Sequence, residues 1–170
     1  EVVTGPASRG GQMQRGAEMA NGAWLLFLHA DTQLPEGWSA AVQAHLTREQ
    51  AACFKLGFDA KGAAPRLVAG WANLRSRLFG LPYGDQGLLI SRALYDQVGG
   101  FKDIPLMEDV AMARALRGQL THLPLRVKTS AAKYQRDGWM RRGARNLGLL
   151  LRYLLGADPA ALAARYRQNR

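Results

Sequence analysis

The chain has 170 residues, of which 48% are hydrophobic and 21% are charged, and its formal net charge is +10. Length and composition fit one globular domain with an apolar core and exclude disordered and collagen-like chains. The longest nearly uncharged apolar stretches fall far short of the roughly 20 residues that cross a bilayer, so we expect no transmembrane helix. The single cysteine, Cys53, excludes an intramolecular disulfide and a cysteine-rich metal cluster, which predicts a reducing, cytoplasmic setting.

The positive charge is concentrated at the C-terminal end. Residues 126–170 contain eleven Lys and Arg against two Asp, a sum of +9, whereas residues 1–60 contain four Lys and Arg against six carboxylates, a sum of −2. Long-range attraction does not discriminate among nucleic acid, anionic lipid and phosphorylated ligands, because each is a dense negative charge. Charge alone therefore names no partner.

In the first half of the chain, the apolar pattern predicts the alternating helices and strands of an α/β domain. Ser8 is a suitable N-cap for a helix over residues 9–21. The continuous apolar run 24–30 is typical of a strand buried on both faces, as in parallel α/β sheets, and it ends at Asp31. The pattern then predicts a helix near 38–46, a strand over 52–58 and a helix over 65–79.

In the second half, glycine and proline mark a loop over residues 80–87. Asp158 and Pro159 predict the N-cap and the first residue of a terminal helix. Between them the pattern predicts a strand over 88–91, helices over 92–98 and 108–117, and a strand over 120–128. The absence of repeats and low-complexity linkers predicts a single domain over residues 1–170, in which residues 138–170 form basic, leucine-rich C-terminal helices.

Acidic side chains occur where these predicted elements meet. Asp31 follows a buried strand, where a carboxylate can meet a divalent cation and the phosphates it bridges, or can simply cap the next turn. Glu108 and Asp109 begin a helix, where acidic residues commonly interact with the helix dipole. Asp85 and Gln86, in the loop 80–87, also lie at a predicted junction of elements. The occurrence of all these residues at junctions favours an active site, because active sites are commonly built from residues at the ends of elements.

Other motifs add less. The three histidines lack zinc-ligand spacing, and there is no nucleophile elbow, Walker loop or dinucleotide fingerprint. The segment 139–155 combines arginines with leucines, which suits a helix on an anionic membrane surface and equally a core-packing helix with a basic, solvated face. Tyr134, Arg136 and Trp139 either form an aromatic and cationic wall around a sugar or diphosphate, or are ordinary packed and surface residues.

Five short motifs, taken in order, resemble the family 2 glycosyltransferases. The likeness is strongest to a bacterial subgroup with the His-Ala-Asp-Thr and Met-Glu-Asp signatures, and it covers nearly the whole chain. The motifs are residues 9–12 (Arg-Gly-Gly-Gln), 24–32 (ending His-Ala-Asp-Thr), 83–87 (Tyr-Gly-Asp-Gln-Gly), 98–101 (Val-Gly-Gly-Phe) and 105–109 (Pro-Leu-Met-Glu-Asp).

The resemblance implies a GT-A fold, with a Rossmann-like, mostly parallel sheet flanked by helices and lacking its first strands. It also implies a nucleotide-sugar donor, a divalent cation (Mg or Mn) and inverting transfer to a hydroxyl acceptor. Asp31 matches the last aspartate of an Asp-x-Asp motif and would bind the metal, and Asp109, beside Glu108, matches the catalytic base. The other implied roles are donor binding by Arg9, Gln12, Asp31 and Arg136, and acceptor binding by Asp85, Gln86 and Trp139.

Three features depart from the family pattern. His29 occupies the first position of Asp-x-Asp, which removes one oxygen ligand for a metal. Gln14 and Arg15 stand where close relatives generally have Asn and a small residue, which alters the contacts with the donor. The family's opening strand, a Pro-x-x-Asn-Glu-like turn and a nucleotide-binding aspartate are not in the chain. We therefore expect a fragment of a longer protein, or a homodimer that exchanges an element, because uncovered strands leave backbone groups and apolar faces exposed.

The sequence thus predicts a glycosyltransferase, and its basic, leucine-rich end suggests a lipid-linked acceptor at the inner face of the cell membrane. Two alternatives remain open from the sequence: a catalytically inactive fragment, and a basic module that binds nucleic acid or a membrane surface. We expect no nucleic-acid partner, because the arginines form no recognisable motif and the acidic loop positions repel phosphate.

Overall fold

A computed structural model describes residues 2–168, in which helices surround a five-stranded sheet. The strands are β1 (Trp24–Phe27), β2 (Thr32–Gln33), β3 (Ala51–Phe58), β4 (Leu88–Ser91) and β5 (Leu120–Thr129). The helices are α1 (Arg9–Met19), α2 (Trp38–His45), α3 (Ala63–Phe79), α4 (Arg92–Gln97), α5 (Glu108–Ala115), α6 (Ala132–Asp137), α7 (Trp139–Leu154) and α8 (Pro159–Gln168), with a 3-10 helix at Gly84–Gln86. The predicted α/β class is confirmed, whereas the short strand β2 was not foreseen.

The sheet is mixed, with the strand order β1-β4-β3-β5-β2. Only β3 and β5 form a parallel pair, while β1 with β4, β3 with β4 and β2 with β5 are antiparallel. The expectation of a mostly parallel sheet is therefore wrong. Because β4 is antiparallel to both of its neighbours, β1, β3 and β5 nevertheless run in the same direction, and their carboxyl ends share one rim of the sheet.

Strand β1 lies at an edge of the sheet. It pairs with β4 from Trp24 opposite Ser91 to Phe27 opposite Leu88, and within residues 2–168 no strand pairs with its other side. Both of its faces are nevertheless covered, because Leu25 packs into one core cluster and Leu26 against another. An apolar run in the sequence indicates that both faces of a strand are buried. It does not indicate which strands lie beside it in the sheet, because that depends on pairing with residues distant in the chain.

Residues 28–31 cross the rim of the sheet, because they join β1 at one edge to β2 at the other. In a flat sheet four strand spacings of about 4.8 Å would separate these edges by about 19 Å. The five Cα–Cα steps from Phe27 to Thr32 span at most about 18 Å even when the chain is fully extended. The sheet is therefore curled, and the crossing segment lies over the carboxyl ends of the central strands.

The C-terminal helices belong to the packed body of the chain. The apolar side of α7 and α8 is buried in a cluster with residues in and before α5. The cluster includes Leu149 and Leu150 of α7, Leu162 of α8, Val110 of α5 and Leu106, which precedes α5. This packing holds α7 and α8 beside the rim. Among the helices of the described range, none combines the length and the apolar character needed to cross a membrane.

Candidate functional site

The rim opens into a cleft of about 950 Å³. Residues at the carboxyl ends of β1, β3 and β5 line it, together with the N-terminus of α1, the 3-10 helix and the start of α5. Ligands of α/β sheets commonly bind at this end of the strands. The charged side chains of its lining are Asp31, Asp85 and Asp109, and Arg9, Lys133, Arg142 and Arg167.

Helix α1 brings Arg9 and Gln12 to the cleft, as predicted for the donor side. The helix begins after Ser8, whose Oγ accepts a hydrogen bond from Gly11 N at 3.2 Å, so the predicted N-cap is confirmed. A Cβ at Gly10 would lie 1.8 Å from the carbonyl oxygen of Lys102. The first glycine of the Arg-Gly-Gly-Gln motif therefore lets the start of α1 pack tightly on the loop that precedes α5.

Glu108 does not line the cleft. Its side chain is 1% exposed, and its Oε1 lies 2.9 Å from Nε of Arg9. Burial, reinforced by the neighbouring Asp109 and opposed by Arg9, raises the pKa of Glu108 to about 7. Glu108, expected among the catalytic residues, therefore does not reach the cleft and pairs instead with Arg9, whose Nη2 also lies 3.5 Å from His29 Nε2.

Asp109, the residue predicted to be the base, lines the cleft. Met107 has a left-handed backbone with φ 68°, the one such non-glycine residue among those described, and it turns the chain into α5 immediately before the two acids. Gly84 N donates a hydrogen bond to Asp109 Oδ2 at 2.9 Å. Gly84 itself packs closely, because a Cβ there would lie 2.3 Å from His29 Nε2. A strained turn and a tightly fitted glycine thus fix the position of this carboxylate.

The two acceptor-side candidates in the 3-10 helix have different environments. Asp85 lines the cleft, and its buried Oδ1 has no hydrogen-bond partner within residues 2–168. Burial raises the pKa of Asp85 to about 6; Arg75 opposes the shift and Asp109 adds to it. Gln86 is fully buried, and its Nε2 donates to the carbonyl oxygen of Phe54 at 3.0 Å. The expected direct contact of Gln86 with an acceptor is therefore corrected to anchoring of the 3-10 helix on β3.

Asp31 lies where the chain crosses the rim. Its Oδ2 accepts from Lys133 Nζ at 3.0 Å, and its carbonyl oxygen accepts from Ser130 N at 3.0 Å. Burial opposes ionisation of Asp31, but the hydrogen bond and charge of Lys133 outweigh it, so the pKa of Asp31 lies below its ordinary value. At the first position of the Asp-x-Asp-like motif, burial and Arg9 lower the pKa of His29, so its imidazole is neutral at pH 7.

The same side chains determine whether the cleft can hold a metal ion. In the part of the chain that the structure describes, no three or more His, Cys, Asp or Glu residues cluster closely enough to hold a metal ion by themselves. Asp31, the last residue of the segment that joins β1 to β2, is the carboxylate available there, and its partner is a lysine that a cation would have to displace. A site of this kind suits Mg²⁺, which commonly takes one or two protein carboxylates and completes its shell with phosphates and water.

The far wall of the cleft comes from the C-terminal helices, and sequence reasoning missed most of it. The residues found there from the structure include Lys133, Arg142, Asn146 and Tyr166. No motif marks them, because their positions follow from how α6, α7 and α8 pack on the rest of the chain.

The predicted aromatic and cationic wall is assembled only in part. Tyr134 lines the cleft, and Trp139 stacks on it with ring centroids 5.0 Å apart, so Trp139 supports the wall from behind. Arg136 is not among the lining residues, and its Nε donates to Asp137 Oδ1 at 2.7 Å. Arg136, expected to bind the donor, therefore lies outside the cleft lining, and the cations on this side of the cleft are Lys133, Arg142 and Arg167.

Comparisons of the chain with protein-family models, with curated proteins and with solved structures find no match. The resemblance to the family 2 glycosyltransferases accordingly rests on the sequence motifs alone.

Proposed function

We propose that this chain is a family 2-like glycosyltransferase of GT-A type that moves a sugar from a nucleotide-sugar donor to a hydroxyl acceptor. One observation carries the proposal. Asp31 and Asp109, which lie far apart in the sequence, line one cleft at the carboxyl ends of three strands with the same direction, together with Arg9 and Lys133. Transfer to a hydroxyl group needs a base on one side of the anomeric carbon and positive charge on the other, and this cleft supplies both.

Asp109 is the base of the proposed reaction. As the acceptor oxygen forms its bond to the anomeric carbon, Asp109 takes the hydroxyl proton, the bond from that carbon to the diphosphate breaks, and the electron pair leaves with the nucleoside diphosphate. Both carboxylate oxygens of Asp109 accept backbone hydrogen bonds, from Gly84 N and Val110 N. A carboxylate has about four acceptor sites, so each oxygen keeps a site for the hydroxyl group.

Positive charge for the leaving diphosphate comes from Arg9 and Lys133. Arg9 is held by buried Glu108, and its side chain is 42% exposed, so its guanidinium can contact a ligand while Glu108 fixes its stem. Lys133 reaches the cleft beside Asp31. In this proposal Asp31 is also the protein ligand of Mg or Mn, a cation that would supply further neutralisation of the diphosphate.

The acceptor side is proposed at Asp85 and Tyr134. The unpartnered Oδ1 of Asp85 is suited to accept a hydrogen bond from a sugar hydroxyl, which would satisfy a buried polar atom. The Tyr134 ring, which stacks on Trp139 and lies beneath the Arg142 guanidinium, offers an aromatic contact and a neighbouring cation to a sugar.

A thermal-shift panel tests the proposal. UDP-, GDP- and dTDP-sugars are each added with Mg or Mn to the chain and to the variants Asp31→Asn, Asp109→Asn and Asp96→Asn. Asp96 is exposed on α4 and outside the cleft lining, so its variant is the matched control. We expect one donor to stabilise the chain, the Asp96 variant and the Asp109 variant, but not the Asp31 variant.

Release of the nucleoside diphosphate reports on the base. We expect Asp109→Asn to bind the donor but to release product about 100-fold to 10,000-fold more slowly, the contribution typical of a general base. Failure of every donor to stabilise the chain, or undiminished turnover in the Asp109 variant, would overturn the proposal.

A further inference from the structure

Helix α3 carries an apolar stripe on the side that faces away from the sheet. Its buried residues, such as Ala69 and Ala72, face β3, whereas Leu67, Trp71 and Leu78 are 61%, 48% and 66% exposed, and Leu74 is 48% exposed. The stripe residues 67, 71, 74 and 78 follow the i, i+4, i+7, i+11 spacing that puts them on one face of a helix. Exposed single apolar residues are ordinary, but a continuous stripe of this kind marks an interaction surface.

A basic groove of about 630 Å³ runs beside this stripe, between α3 and strands β3 and β5. Its charged residues are Lys55, Arg66, Arg77 and Arg126, and no carboxylate is among the lining residues. Within residues 2–168 none of these four cations has a salt bridge, although Arg126 donates to the carbonyl oxygen of Leu56. Arg66 and Arg77 each directly precede a stripe leucine, which sets them about 100° around the helix from the stripe.

The lowered pKa of a histidine in the groove is consistent with the positive charge of the groove lining. His122 lies in the groove, and its pKa is lowered by burial and further by Arg77 and Lys55. The groove lining thus contains a neutral histidine and four cations, and it contains no acidic side chain that would pair with those cations. Such a groove attracts anions, and the adjoining stripe attracts an apolar phase.

We propose that α3 docks the protein on the surface of an anionic phospholipid bilayer. The stripe lies at the boundary of headgroups and acyl chains, with Trp71 at its centre, and the groove beside it contacts lipid phosphates. Amphipathic helices bind membrane surfaces in this way, with their apolar face buried and their cations at the headgroups. A bilayer fits both features at once, because it presents apolar material and phosphate in one surface.

This surface differs from the one that the sequence suggested. The segment 139–155 was weighed as a membrane helix or a core helix, and in the structure α7 buries Leu149 and Leu150 and presents Arg142 and Asn146 to the cleft. Helix α7 packs beside α3. The stripe residues of α3 and the four cations of the groove are not among the cleft-lining residues, although Phe58 lines both the groove and the cleft.

Vesicle co-sedimentation tests the inference with the full chain. Vesicles of phosphatidylcholine alone are compared with vesicles that also contain phosphatidylglycerol. We expect binding to the anionic vesicles only, and loss of about 30-fold in binding for Arg66→Gln/Arg77→Gln, because two cations are removed from a charged surface. Trp71→Gln and Leu74→Gln remove two of the four stripe residues and should weaken binding, whereas Trp38→Gln and Leu46→Gln, matched controls at exposed positions on and just after α2, should leave it unchanged.

Fluorescence quenching by brominated lipid adds a readout that depends on position. We expect Trp71→Phe to remove most of the quenching and Trp38→Phe to leave it unchanged. Far-ultraviolet circular dichroism confirms that each variant is folded. The inference is overturned if anionic vesicles do not bind the chain, if the α2 controls lose binding as much as the α3 variants, or if light scattering shows that the α3 stripe instead joins two copies of the chain.

Discussion

Replacing Glu108 by glutamine tests the central ion pair of the site through the dependence of stability on pH. The folded chain raises the pKa of Glu108 from 4.5 to about 7, chiefly because the carboxyl group is buried. The folded state therefore binds its proton more tightly than the unfolded state does. The free energy of unfolding must fall as the pH rises from 4.5 to about 7, and it stays at the lower value above that range.

The size of the effect follows from that pKa difference. Each pKa unit corresponds to about 1.4 kcal/mol, so ionisation of Glu108 costs the wild type about 3 kcal/mol above pH 7. Solvent screens the charge of Glu108 very little, because its side chain is 1% exposed. In Glu108→Gln the side chain stays neutral at every pH. We expect the variant to match the wild type below pH 4.5 and to be more stable by about 3 kcal/mol above pH 7.

Urea denaturation followed by circular dichroism, at a pH below 4.5 and at a pH above 7, measures this difference directly. Glu36→Gln at an exposed position makes the same change in net charge and serves as the control. A stability difference between Glu108→Gln and the wild type that does not change with pH would refute the reasoning. A variant that is less stable at high pH would show that attraction to Arg9 outweighs burial.

Two further predictions concern packing. Gly10→Ala should lower the free energy of unfolding by about 1–3 kcal/mol, the usual range for overpacking, because the added Cβ would lie 1.8 Å from the carbonyl oxygen of Lys102; unchanged stability in urea denaturation would contradict this close approach. Cys53 should resist a thiol-specific reagent until the chain unfolds, because it is fully buried and burial raises the pKa of its thiol to about 12; rapid labelling of the native chain would contradict that environment.

Much of the local structure could be predicted from the sequence. Ser8 begins a helix because its side chain satisfies a free backbone donor, and the run from Trp24 forms a strand because both of its faces are covered by apolar clusters. The helix that begins at Glu108 was likewise expected, with both acids in its first turn. These features depend on residues close together in the chain.

The arrangement of the site could be predicted only in part. Asp31, Asp85 and Asp109 were each singled out, and all three line the cleft. Their neighbours Gln86 and Glu108 were singled out on the same grounds but are buried. Adjacent residues in a helical turn face different directions, so a motif that contains both cannot say which one meets a ligand without the packing around it.

Local patterns in the chain were enough to predict the α/β class, most of the helices and strands, and three acidic side chains near element junctions. Long-range packing was needed to establish that β4 runs antiparallel between β1 and β3, that Lys133 pairs with Asp31, and that the apolar stripe of α3 faces away from the sheet. The physical reason is range. Periodicity and capping act within a few residues, whereas strand order, ion pairs and burial depend on contacts between residues that are distant in the chain and are fixed only when the whole core packs.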